Sequence, residues 1–122
     1  MKYILMMFGD GGEMAATADP AWVRDMLTFM DDFNAELTKT GELVEARGLA
    51  FPSTAKTISY EDGQVAVTDG PYAESKESLA GYWVFDVPAE ERAIELAGRV
   101  AFWARKVELR EVPDGPPEYD EN

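Results

Sequence analysis

The chain has 122 residues, with 24 Asp and Glu against 11 Lys and Arg, for a formal net charge of -13. It contains no cysteine and no histidine, which excludes disulfide frameworks, thiolate catalysis, cysteine zinc sites and every Ser-His or Cys-His dyad. So acidic a chain repels phosphate backbones and anionic lipid headgroups, so no nucleic acid and no membrane are expected among its partners.

The length suits one domain, read as residues 1–112 with an acidic, Pro-rich, mobile tail over 113–122. Tyr3 to Phe8 is apolar without interruption, and Gly9-Asp10-Gly11-Gly12 ends the run. It is too short for a secretory h-region or a membrane span, so it is read as a first strand and the protein as cytoplasmic. Gly9 to Ala18 is a loop. Asp19-Pro20 then supplies an N-cap and a first helical residue. Trp22, Met26, Met30, Phe33 and Leu37 recur at helical spacing, widened by Val23, Leu27 and Phe29, and Gly41 ends the helix.

Leu43 to Ala50 alternates as a strand, and Pro52-Ser53 breaks it. Thr54 to Glu61 and Gln64 to Thr68 flank Asp62-Gly63, a strong hairpin signal. Gly81 to Val87 is apolar on both faces. Pro88 is expected to open a second helix carrying Ile94, Ala97, Val100, Ala101 and Ala104, and Lys106 to Val112 is the last strand.

The order β-α-β, hairpin, β-α-β predicts an α+β, ferredoxin-like fold with an antiparallel sheet. That topology puts the two fully apolar runs at the sheet centre and the two alternating strands at its edges. If Val44, Ala46, Val107 and Leu109 face the helices, Arg47 and Arg110 point to the other face. Both helices cover one face, which leaves apolar residues bare on the other. A second copy packed face to face is the simplest cover, so a homodimer is expected.

Asp69-Gly70-Pro71-Tyr72-Ala73-Glu74-Ser75-Lys76-Glu77 is a polar segment of its own character. It closely resembles the Asp-Gly-Pro-Phe signature of YCII-related (DGPF) proteins, with Tyr72 in the Phe place. The likeness extends over Lys2-Tyr3-Ile4-Leu5, Gly41-Glu42-Leu43, Gly48-Leu49-Ala50 and Gly81-Tyr82. It implies a dimeric α+β barrel of ferredoxin-like units. Some relatives are built on a His–Asp pair at a cleft, and a chain without histidine departs from that pattern.

Two readings of the signature stand side by side. In one, Asp69, Gly70 and Pro71 form a structural clamp, since Asp, Gly and Pro are good turn chemistry. In the other, part of the segment touches a small organic ligand. Any proton-transfer or elimination chemistry must then rest on Asp69, Tyr72 or Glu74, with Arg47, Lys76 and Arg110 to hold an anionic group. The alternative for Arg47 and Arg110 is an ion pair with Glu45, Glu108 or Glu111. Asp31, Asp32 and Glu36 read as a solvated helix face and Trp22, Met26 and Met30 as core. Trp83 and Trp103 read as core or dimer interface. No metal and no cofactor are expected. The rival to an enzyme is a non-catalytic ligand-sensing or protein-interaction module.

Overall fold

A computed structural model of the chain describes residues 1–9, 19–71 and 78–116. The expected loop over 10–18 and most of the expected tail, 117–122, lie outside the described residues. The elements are β1 (Lys2–Phe8), α1 (Pro20–Thr40), β2 (Leu43–Gly48), a 3-10 turn (Pro52–Thr54), β3 (Lys56–Glu61), β4 (Gln64–Asp69), β5 (Leu79–Asp86), α2 (Glu90–Ala104) and β6 (Val107–Val112). Four strands form an antiparallel sheet in the order β2-β5-β1-β6, and β3 pairs with β4 in a separate hairpin. This is the ferredoxin-like α+β arrangement, with the two fully apolar runs at the centre. Among the described residues no helix is long and apolar enough to cross a membrane.

The sequence signals at the ends of α1 act as expected. The Asp19 side chain accepts a hydrogen bond from the Ala21 N–H at 3.0 Å, and Pro20 opens the helix. Gly41 closes it at φ 81°, where its N–H reaches back to Leu37 and Thr38 carbonyls. The core lies between the helices and one face of the sheet. Tyr3 and Leu5 of β1 and Trp83 and Phe85 of β5 meet Phe33 and Leu37 of α1 and Ala93, Leu96, Ala97 and Val100 of α2. Trp22, Met26 and Met30 are half-buried rather than fully enclosed. Trp22 packs its ring on Trp103 at 5.6 Å.

Four expectations need correction. α2 starts at Glu90, two residues past Pro88, and Ala89 is its N-cap. Ile94 is exposed, because the buried stripe runs through Ala93, Leu96, Ala97 and Val100 instead. Leu27 likewise points to solvent. In β2 the register slips between Leu43 and Glu45. The bulge puts both Leu43 and Ala46 against the core and leaves Val44 exposed.

The hairpin turns at Asp62 (φ 50°) and Gly63 (φ 78°), positive at both central residues as a two-residue loop requires. The corner from α2 into β6 is tighter. Arg105 sits at φ 71°, ψ -48° while the Lys106 N–H donates to the Ala104 carbonyl at 2.8 Å. This is a γ-turn of positive φ, which a residue with a side chain adopts only under strain.

Candidate functional site

Asp69 ends β4 and opens the signature segment. Its carboxylate pairs with the Lys56 ammonium across the hairpin, and its side chain is 86% exposed. Gly70 follows at φ 105°, a conformation that disfavours any side chain. Its N–H donates to the Ala55 carbonyl at 2.8 Å, and its carbonyl accepts from the Thr57 hydroxyl at 2.8 Å. These two bonds tie the start of the segment to the chain that enters β3. Pro71 is half-buried. Tyr72, Glu74 and Lys76 lie outside the described residues.

The chain re-enters at Ser78, which is buried. The Ser78 carbonyl accepts from the Gly9 N–H at 2.9 Å, where β1 meets β5. The Leu49 N–H donates to the Ala80 carbonyl at 2.9 Å, so the exit of β2 is held to the same end of the sheet. Between these anchored ends lies a hollow of about 600 Å³. Leu49, Phe51, Ile58, Pro71 and Leu79 give it apolar walls, and Lys56 brings one cation to it. A mostly apolar hollow of several hundred Å³ with one charged group has the make-up of a small-molecule site.

Lys56 escaped the sequence reading, although the signal was there. Counting back from the Asp62-Gly63 turn places it opposite Asp69.

Arg47 and Arg110 are not part of this hollow. Arg47 borders a smaller one, about 150 Å³, beside Asn34, Tyr82 and Trp83. There the Trp83 indole N–H donates to Asn34 Oδ1 at 2.8 Å. The Arg47 guanidinium donates to the Ala46 carbonyl at 3.0 Å and lies 3.6 Å from Glu45. Arg110 stands on β6, opposite Ile4. Arg47 and Arg110 alternate along their strands with Ala46 and Leu109, which pack toward the core, so they hold positions of the open face. They occupy opposite edges of the sheet, three strand spacings or roughly 14 Å apart. One chain therefore cannot close both on one anion, nor pair Arg47 with its own Glu108.

Glu42, outside the candidate set, is a strongly perturbed carboxylate. The Arg92 guanidinium grips Glu42 with two bonds, at 2.7 and 2.9 Å, and the Thr40 hydroxyl adds a third at 2.8 Å. The bonds from Arg92 hold the Glu42 carboxyl down at about 2, against the opposing effect of burial. Arg92 also reaches Glu95, while Arg99 joins Glu36 to Glu95. This network clamps the end of α1 to α2 and stabilises the ionised form of Glu42, the reverse of what a proton donor at neutral pH needs. No local pattern could have revealed it, since 50 residues separate Glu42 from Arg92. Asp31 and Asp32 are exposed on α1. Among the described residues no group of three or more acidic side chains gathers as a metal site.

The YCII-related domain model matches residues 1–114, from the start of β1 past the end of β6. An uncharacterised protein of Rhizobium meliloti (strain 1021), R00369, is 26% identical over 100 residues, which is 80% of this chain and 77% of that one. The sheet order, the hairpin and the tethered Asp69-Gly70-Pro71 all fall inside the matched stretch, and the chain belongs to the YCII-related family.

Proposed function

We propose that the protein is a small cytoplasmic homodimer that binds a small organic molecule in the hollow beside the signature segment. The observation that carries this reading is the hollow itself. It is apolar, of small-molecule size and entered by Lys56, and the Asp69-Gly70-Pro71 run is tied down at its border. The dimer supplies a cover for the open sheet face, where Ile4, Met6, Tyr82 and Val84 are half-buried with no helix over them.

In the enzymatic form of this reading, the chemistry is proton transfer or elimination. Tyr72, Glu74 and Asp69 are the available bases, with Lys76 and Lys56 beside an anionic substrate. A second reading has a specific observation in its favour. Asp69 stands in solvent against Lys56, whereas a general base works from within hydrogen-bond reach of a bound substrate. That favours a non-catalytic, ligand-sensing module. Both forms share the same hollow.

A thermal-shift screen against small anionic, aromatic and carbonyl metabolites tests the proposal. A ligand that binds the native state alone raises the melting temperature by mass action. We expect a hit that is lost in Lys56→Ala and in Tyr72→Ala. A hit that survives both substitutions places binding elsewhere. Turnover of the hit, abolished by Glu74→Gln or Tyr72→Phe, separates the enzyme from the sensor.

A further inference from the structure

On the helix-facing side of the sheet, Ala46, Trp83, Leu5 and Leu109 form one row across the four strands. The next row, toward the exit of β2, is Gly48, Gly81, Met7 and Val107. Two of its four members carry no side chain, and the two are neighbours. They floor the hollow of about 150 Å³ that Arg47 borders, and Met7, Met30, Ala46 and Trp83 give it apolar walls. That is room for about five water molecules.

The two glycines differ. A Cβ at Gly81 would stand 3.0 Å from the Arg47 carbonyl oxygen, because β2 and β5 approach closely there. A Cβ at Gly48 would meet nothing within 4 Å, and the Gly48 backbone lies outside the positive-φ region. The space over Gly48 is therefore open, and neither crowding nor backbone strain keeps a side chain out of it.

Asn34 brings a polar group from α1 to this hollow and is half-buried. The Trp83 indole N–H can only donate, so its 2.8 Å bond requires the oxygen of the Asn34 amide. The NH2 group is thereby turned away from Trp83. Among the described residues it has no acceptor. Two N–H donors are thus oriented and unused beside an apolar space. Of the described residues that line the hollow, Arg47 is the one with a charge. Its neighbour Glu45, 3.6 Å away, is a loose and largely exposed partner.

We propose that this hollow is a second binding site, which takes a small monocarboxylate with a compact apolar body. A carboxylate oxygen accepts from the Asn34 NH2 group, and Arg47 supplies the opposite charge at the rim. The apolar body rests on Met7, Met30 and Ala46 above the glycine floor. One cation in a chain of net charge -13 suits a single negative charge rather than several. The site shares no described lining residue with the larger hollow beside the signature segment, and it does not depend on the homodimer reading.

A titration of the nitrogen-15-labelled full chain with isobutyrate, followed by NMR, tests it. We expect the Asn34 side-chain amide and the Trp83 indole N–H signals to shift together and saturate. Asn34→Asp keeps an oxygen for the Trp83 indole but removes both donors. It should weaken isobutyrate binding at least about tenfold. Gly48→Val grows a side chain into the hollow, where nothing stands within 4 Å to resist it, and should weaken binding as much. Dispersed spectra confirm that each variant is folded. Isobutyramide, of the same shape without the charge, should bind at least about tenfold more weakly than isobutyrate. The absence of a saturable shift at Asn34 and Trp83 overturns the site. Binding that survives Asn34→Asp or Gly48→Val in a folded variant overturns it as well. Equal affinity for isobutyramide overturns the choice of a carboxylate.

Discussion

The four-stranded sheet and the hairpin are made of strands of similar length, yet the sheet has an apolar face enclosed by the helices whereas the hairpin's apolar face stands exposed. In β1 and β5 the residues under the helices are apolar, and Leu5 and Phe85 are completely buried. In the hairpin, Ile58 pairs with Val67 and Tyr60 with Val65, and all four side chains are at least 60% exposed. Thr57, Ser59 and Ala66, on the opposite face, are the half-buried ones. Alternation therefore states that a strand has two unlike faces. Which face turns inward depends on what else is there to cover it, and neither helix covers the hairpin's apolar side.

The largest test of this contrast is truncation of matched side chains. Phe85→Ala and Leu5→Ala should each cost about 3–5 kcal/mol in urea unfolding, through lost burial and the cavity left behind. Ile58→Ala and Val67→Ala should stay within about 0.5 kcal/mol. A loss of several kcal/mol at Ile58 would mean that its face is covered in solution.

The two regions also differ in their ion pairs. Glu42 and Arg92 are largely enclosed, whereas Lys56 and Asp69 stand in solvent. Glu42→Gln should cost about 1–3 kcal/mol, since it weakens charge-assisted bonds and leaves Arg92 without its main partner. Asp69→Asn should cost no more than about 0.5 kcal/mol. Folding holds the Glu42 carboxyl near 2, below its ordinary 4.5. Its contribution is therefore complete above about 4.5 and fades as the pH falls from there toward 2. Stability measured across that window should fall less steeply in the Gln variant.

The smallest expected effect lies in the turns. Asp62-Gly63 has the residues its geometry calls for, while Arg105 holds a strained positive φ at the corner into β6. Arg105→Gly should raise stability by about 0.5–1 kcal/mol by removing that strain. Gly63→Ala should weaken the hairpin locally, read by faster amide exchange across β3 and β4 with little change in global unfolding.

Much of the frame was legible because its signals are local. Asp19-Pro20, Gly41 and Asp62-Gly63 mark their turns through single-residue backbone preferences. The uninterrupted apolar runs of β1 and β5 marked the sheet centre. What escaped depends on partners distant in sequence. The bulge that turns Val44 outward reflects how β2 must fit β5, and Ile94 lies off the stripe because α2 docks in a phase set by the sheet. At the site, Asp69-Gly70-Pro71 is tethered by Ala55 and Thr57, and hairpin register alone would have found their neighbour Lys56. The strand positions of Arg47 and Arg110, alternating with Ala46 and Leu109, were legible from the period of two. Their separation on opposite edges needed the strand order, and it removes them from a shared anion site within one chain.

The alternating order of charges along the two edges of the open face has a consequence for keeping the sheet from growing. β2 carries Glu45 and Arg47, and β6 carries Glu108 and Arg110, at the two outer edges. A foreign strand adding itself to either edge would have to match both signs in register, so these side chains guard unpaired backbone groups against indiscriminate strand addition.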